Sequence, residues 1–269
     1  MLNVLVAYPY LREKESDVLR RESERTRFLL DSGAFTAWKA GKPISLDEYC
    51  RFIESLPVRP WRYFTLDVVG NPTESLKNYE IMRARGFTPV PIFTRGAPVS
   101  MLDEFYKTSD VVGIGGLVGT EGNLGFVKGI MRLVGSRKVH WLGFVRHNFI
   151  NHYRPYMADA SSWSHASRNG DLKVYMGKGV IKSFRKKDMI ARPSREVLEL
   201  FATYGVSPRE LQTEANWKSH HWLNALAARM WVRRSLETER AIGTKLFLAG
   251  ASATDLELMY AGYRKETAA

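Results

Sequence analysis

The chain has 269 residues, 45% of them hydrophobic and 12% aromatic, enough to bury the core of one large domain and too apolar for a disordered chain. Forty Lys and Arg against 28 Asp and Glu leave a formal charge of +12, an excess that predicts attraction to polyanions, nucleic acid foremost. The single cysteine, Cys50, excludes an internal disulfide framework and a multi-thiolate zinc site, and no apolar run approaches the ~20 residues that cross a bilayer. The opening MLNVLVAYPY has no charged residue ahead of its short apolar run, so the expectation is a soluble, cytoplasmic protein with no signal peptide.

Asn3 to Tyr8 reads as a first strand, and the charged stretch from Arg12 to Arg27 as helix or loop. The next segment, RFLLDSGAFTAW from Arg27 to Trp38, anchors the rest. Three apolar residues run into Asp31 and break at Gly33, the pattern of a buried strand that delivers a carboxylate to its C-terminal tip. Strand tips are where α/β proteins place their chemistry, although Asp in such a turn also serves as a helix cap. Ser45 opens SLDEYCRFIESL, with Glu48 at capping-box spacing and Tyr49, Phe52, Ile53 and Leu56 at helical spacing. Tyr63 to Val69 is a strand carrying a second acid, Asp67; Asn71-Pro72 breaks it, and Thr73 to Arg85 is a helix that ends at Gly86.

The alternation continues with a strand over Thr88 to Phe93, a helix over Ser100 to Lys107, and a strand over Val111 to Ile114 that closes in Gly115-Gly116. Gly125 to Val134 is helical, Val139 to Val145 is a strand, and Tyr156 to Asp159 is a strand-like run ending in a third acid. Strands alternating with helices, and acids or glycines at their ends, predict a (β/α)8 TIM-type barrel. A doubly wound open sheet is the alternative, but no GxGxxG follows the first strand.

Past Asp159 the character changes. Ser161 to Gly170 is a polar loop, and Asp171 to Met176 a short strand. From there a basic run holds Lys178, Lys182, Arg185, Lys186, Lys187, Arg192 and Arg195 against the one acid Asp188. Short helices are predicted over Ser194 to Tyr204 and Ser207 to Thr213, and a long amphipathic one over His220 to Leu236. Lys245 to Ala249 is a last strand and Ala253 to Tyr263 a closing helix. The whole of 1–269 thus reads as one barrel domain in which 171–240 is a basic, helix-rich elaboration. Trp217, Trp222 and Trp231 are expected in the core. His220, His221 and the histidines between His147 and His152 lack metal-ligand spacing with acids, and neither metal nor cofactor is expected.

Four segments in order resemble the tRNA-guanine transglycosylase superfamily: Asp31-Ser32-Gly33-Ala34-Phe35, Asp67 at the next strand end, Ile114-Gly115-Gly116-Leu117-Val118-Gly119, and Asp159. The likeness covers Phe28 to Gly170, about half the chain. The cysteines and histidine of the zinc site in the tRNA-acting enzymes are missing, which makes the chain more similar to the zinc-free DpdA-like branch of phages and bacteria that inserts 7-deazaguanines into DNA. The resemblance implies a base-exchange transferase. Asp159 would be the nucleophile and Asp31 the proton-handling acid. Ser32, Phe35, Asp67, Arg95, Gly115, Gly116 and Leu117 would bind the base. Trp163, His165, Arg168, Lys178, Lys182, Arg185, Lys186 and Lys187 would contact nucleic acid. The competing readings are tRNA base exchange, hydrolysis of an N-glycoside by the paired carboxylates Asp31 and Asp159, and nucleic-acid binding without catalysis. For Asp67 the structural alternative is a turn cap, and for Gly115-Gly116 a plain βα turn.

Overall fold

The computed structural model describes residues 1–117, 124–165 and 171–268. Its strands are β1 (Leu2–Ala7), β2 (Thr26–Asp31), β3 (Arg62–Tyr63), β4 (Ile92–Phe93), β5 (Val111–Ile114), β6 (Lys138–Trp141), β7 (Met157–Ala160), β8 (Asp171–Gly177), β9 (Val180–Arg185) and β10 (Lys245–Gly250). Eight of them form one curled parallel sheet in the order β3-β2-β1-β10-β7-β6-β5-β4. Around that ladder each strand lies beside its neighbour in sequence, with β10 taking the place after β7. This is the order successive βα units give when every crossover turns the same way. The two outermost strands also meet: Val90 N–H donates to Tyr63 O (2.8 Å), Thr65 N–H donates to Val90 O (3.0 Å), and Phe64 pairs with Val90 in parallel.

The connecting helices are α1 (Glu13–Arg21), α2 (Ala34–Lys39), α3 (Leu46–Ser55), α4 (Pro72–Ala84), α5 (Val99–Thr108), α6 (Gly125–Val134) and α7 (His147–Tyr153). Their starts follow local chemistry. The Ser45 hydroxyl accepts from Glu48 N–H ahead of α3, and Asn71 Oδ1 accepts from Glu74 N–H ahead of α4, where Pro72 costs no hydrogen bond. The predicted strands around Phe64 and Val90 form only short ladders, because Pro89 and Pro91 flank Val90 and remove backbone donors.

Strand alternation sorts the side chains. Val4, Val6, Phe28 and Leu30 pack outward against the helices, whereas Leu5, Leu29, Phe64, Val90, Ile92, Val111, Met157 and Phe247 pack on one another across the inner face. Because the side-chain period is two, Asp31 shares the inner face with Leu29, and Asp159 shares it with Met157.

Within 171–240, read above as a helix-rich elaboration, the chain also carries strand: β8 and β9 form an antiparallel hairpin. The helices α8 (Lys186–Ala191), α9 (Arg195–Ala202), α10 (Pro208–Gln212) and α11 (Glu214–Lys218) follow. Together with the hairpin they bury Leu172, Val174, Phe201, Leu211 and Trp217 against the first half of the long helix α12 (His220–Ile242). The last helix, α13 (Ala253–Thr267), packs along α12. Trp217 and Trp231 are buried as expected, and Trp222 packs against the same cluster. Among the described residues no helix is long and apolar enough to cross a membrane.

Candidate active site

The C-terminal ends of β2 and β7 and the segment that follows β3 bring Asp31, Asp159 and Asp67 together. Gly33 sets the first of them. It sits at φ +74°, and a Cβ there would lie 2.3 Å from Pro9 Cδ, so only glycine lets the chain turn under the β1 exit. The turn aims Gly33 N–H at Asp31 Oδ2 (3.0 Å). Ser32, fully buried, accepts from Ala34 N–H (3.3 Å) and donates its hydroxyl to Asp67 Oδ1 (3.3 Å), so it reaches the site through Asp67. Asp159 is 9% exposed, and its Oδ1 receives Gly143 N–H (2.9 Å) and sits 2.9 Å from His140 Nε2.

No Lys or Arg forms an ion pair with any of the three acids among the described residues, and the electrostatics show the consequence. Burial pushes the Asp31 carboxyl up to about 7, and the neighbouring charges of Asp67 and Asp159 push the same way against two backbone hydrogen bonds. Asp67 is also raised, again by burial. A carboxyl group that holds a proton near neutral pH, crowded by two further carboxyl groups, is placed to give and take a proton. Burial raises the pKa of Tyr49, whose hydroxyl donates to Phe64 O (2.9 Å), and the nearby Asp31 and Asp67 push the same way. Among the described residues no three or more His, Cys, Asp and Glu are placed to hold a metal ion.

The remaining predicted residues divide. Gly115 is buried, and a Cβ there would lie 3.0 Å from Thr94 Cγ2; Gly116, at φ +71°, lies against Arg95. Arg95 is exposed, with its guanidinium 6.0 Å from the Phe126 ring centre. Leu117 is buried in the cluster under α5 and α6, so only its backbone faces the strand ends. Phe35 is 47% exposed on α2 and stacks on Trp38, which is 59% exposed (5.9 Å, 27°), with Lys39 Nζ 4.5 Å from the Phe35 ring centre. Trp163 is 1% exposed and its indole N–H donates to Ala249 O (2.8 Å), so this expected nucleic-acid contact ties the β7 exit to β10 and presents no ring face. Arg168, Val118, Gly119 and the side chain of His165 lie outside the described residues.

The basic run folds into the hairpin and α8. Arg185 pairs with Asp188 (2.9 Å), Lys186 with Glu214 (3.1 Å) and Arg195 with Glu199 (2.7 Å), while Lys178, Lys182, Lys187 and Arg192 are exposed, with no such pair among the described residues. The hairpin turn rests on α7 through Gly179, where a Cβ would meet Asn151 and His147. That helix leaves β6 at the same sheet end as the acids, so Lys178 lies on their side of the molecule. A separate cleft of about 450 Å³ between α1 and α13 contains none of the strand-tip acids, and its charges pair with one another, as Arg264 does with Glu22 (2.9 Å).

Two groups escaped the sequence reading. His140 and Gly143 both contact Asp159, and Trp38 doubles the exposed aromatic surface begun by Phe35. The His140 signal was present in strand alternation, since His140 and Leu142 share the inner face of a run otherwise read as apolar. By sequence, the chain matches no family model and no curated protein.

Proposed function

We propose that this protein is a base-exchange transglycosylase that replaces guanine in DNA with a 7-deazaguanine through a covalent aspartyl intermediate. The observation that carries the reading is the convergence of Asp31, Asp67 and Asp159 at one end of the sheet, with no Lys or Arg paired to them among the described residues and the Asp31 carboxyl raised to about 7. The four-segment resemblance in sequence supports it. So does the fold in its finer form: we read the curled sheet as a closed (β/α)8 barrel, on the strength of the Phe64–Val90 pairing between its outermost strands.

Each acid then has one task. Asp159 attacks the anomeric carbon of the target nucleotide, a step that suits an anionic carboxylate facing an oxocarbenium-like transition state. Asp31, protonated near neutral pH, gives its proton to the departing guanine and takes one from the incoming base. Asp67 accepts hydrogen bonds from the N–H edge of the base while Ser32 holds its other oxygen. Gly115 and Gly116 let backbone approach the base closely, and Arg95 stands beside them. Phe35 and Trp38 at the rim offer π-faces to a base drawn out of its stack, which costs a few kcal/mol that stacking offsets. The exposed lysines of the hairpin contact phosphates.

The test is incubation of the protein with labelled 7-cyano-7-deazaguanine and either duplex DNA or tRNA. Label entering DNA supports the proposal. Label entering only tRNA replaces DNA by tRNA as substrate, and release of free guanine without incorporation makes the protein a hydrolase.

A further inference from the structure

The ring of His140 is fully buried at the centre of the inner face, between Phe64 (centroids 4.9 Å apart, 59°) and Phe247 (6.4 Å, 60°). Its Nε2 lies 2.9 Å from Asp159 Oδ1, the oxygen that Gly143 N–H also reaches at 2.9 Å. An ionised carboxylate can only accept, so the ring proton belongs on Nε2. The other nitrogen, Nδ1, is buried without a partner among the described residues, which suits a lone pair far better than a stranded N–H. The carboxylate is therefore asymmetric: Oδ1 holds two donors, and Oδ2 accepts no hydrogen bond from the described residues.

We propose that His140 is a positioning residue for Asp159, one that reserves Oδ2 as the attacking oxygen and makes the carboxylate a better leaving group in the second half of the exchange. This rests on the transferase reading above. In the first half, an Oδ2 lone pair forms the bond to the anomeric carbon as the carbon–N9 bond breaks; that electron pair leaves with guanine, which takes the Asp31 proton. In the second half, N9 of the incoming base attacks the same carbon, the carbon–Oδ2 bond breaks with its pair returning to Asp159, and the N9 proton passes to Asp31. Donors at Oδ1 stabilise the carboxylate more than the ester, because hydrogen bonds to a charged oxygen are the stronger ones. Removing one shifts the balance toward the covalent adduct.

The experiment compares trapped protein–DNA adduct, resolved on a denaturing gel after rapid quenching, in wild type, His140→Phe and His140→Gln. Phe keeps the ring volume without a donor, and Gln returns an N–H at similar reach. The adduct share should rise about tenfold in His140→Phe, with turnover lowered and KM for DNA unchanged, and return toward wild type in His140→Gln. Equal adduct in wild type and His140→Phe overturns the proposal, as does a His140→Gln that behaves like Phe. Nitrogen-15 NMR of the free wild-type protein covers the case where His140→Phe fails to fold: the proton should sit on Nε2, and a proton on Nδ1 overturns the assignment. Wild type that neither exchanges base nor traps adduct defeats the transferase reading and the leaving-group role with it, while NMR still decides the hydrogen bond separately.

Discussion

The two ends of the same sheet treat charge in opposite ways. At the N-terminal ends of the strands acids are paired with cations: Arg27 binds Glu239, which Asn3 also contacts (3.1 Å), and Asp110 is held by Arg62 (2.8 Å) and Lys138 (3.4 Å). The Asp110 carboxyl is lowered accordingly, the Arg62 and Lys138 charges outweighing its partial burial. At the C-terminal ends Asp31, Asp67 and Asp159 crowd together with hydroxyl, backbone and imidazole donors but, among the described residues, no paired Lys or Arg, and Asp31 and Asp67 are raised. A fold selected only for stability would compensate both ends; leaving one uncompensated costs stability and keeps a proton and an anion available.

Breaking the uncompensated end should have the largest effect. Asp159→Asn keeps the shape and removes the anion, and base exchange should fall by at least about a thousandfold while the circular dichroism spectrum stays that of wild type. At the compensated end, Arg27→Met strands Glu239 and Asn3 and should lower unfolding free energy by roughly 2 kcal/mol in urea titration, leaving KM and turnover near wild type.

A smaller effect sharpens the same comparison through pH. A carboxyl raised in the folded state binds its proton more tightly there than when unfolded, so it lowers stability progressively as pH rises from about 4 through 7. Asp31→Asn should therefore be more stable than wild type at pH 8, by ~1–2 kcal/mol, and the gain should vanish near pH 4. A gain that is the same at both pH values would remove the charge crowding from the account. Exchange itself should decline above pH 7 as Asp31 loses its proton. Smallest of all, Trp38→Ala at the exposed rim should weaken DNA binding several-fold with no change in thermal stability.

Much of this was legible in the sequence for a physical reason. An apolar run that ends in an acid describes a strand tip, and Asp31 and Asp159 both lie where that pattern places them; the helix that starts after Ser45 was readable from its cap. What was hidden needed tertiary information. The strand β9 half-buries only Ile181 and Phe184 against a small satellite core, three positions apart, so the run carries no two-residue period to mark it as a strand. Trp163 looked like a pocket residue because it follows Asp159 in a polar loop, and only the pairing of β7 with β10 brings Ala249 O to its indole. His140 was masked by apolar neighbours on both sides, and its partner lies 19 positions away on the next strand.

The central claim is that Asp159 forms the bond to the nucleotide. Quenching a reaction of wild-type protein with DNA, digesting it and measuring peptide masses tests it directly. The account predicts one nucleotide adduct, on the peptide containing Asp159 and absent from Asp159→Asn. Base exchange with the adduct on Asp31 or Asp67, or exchange that persists in Asp159→Asn, would contradict it.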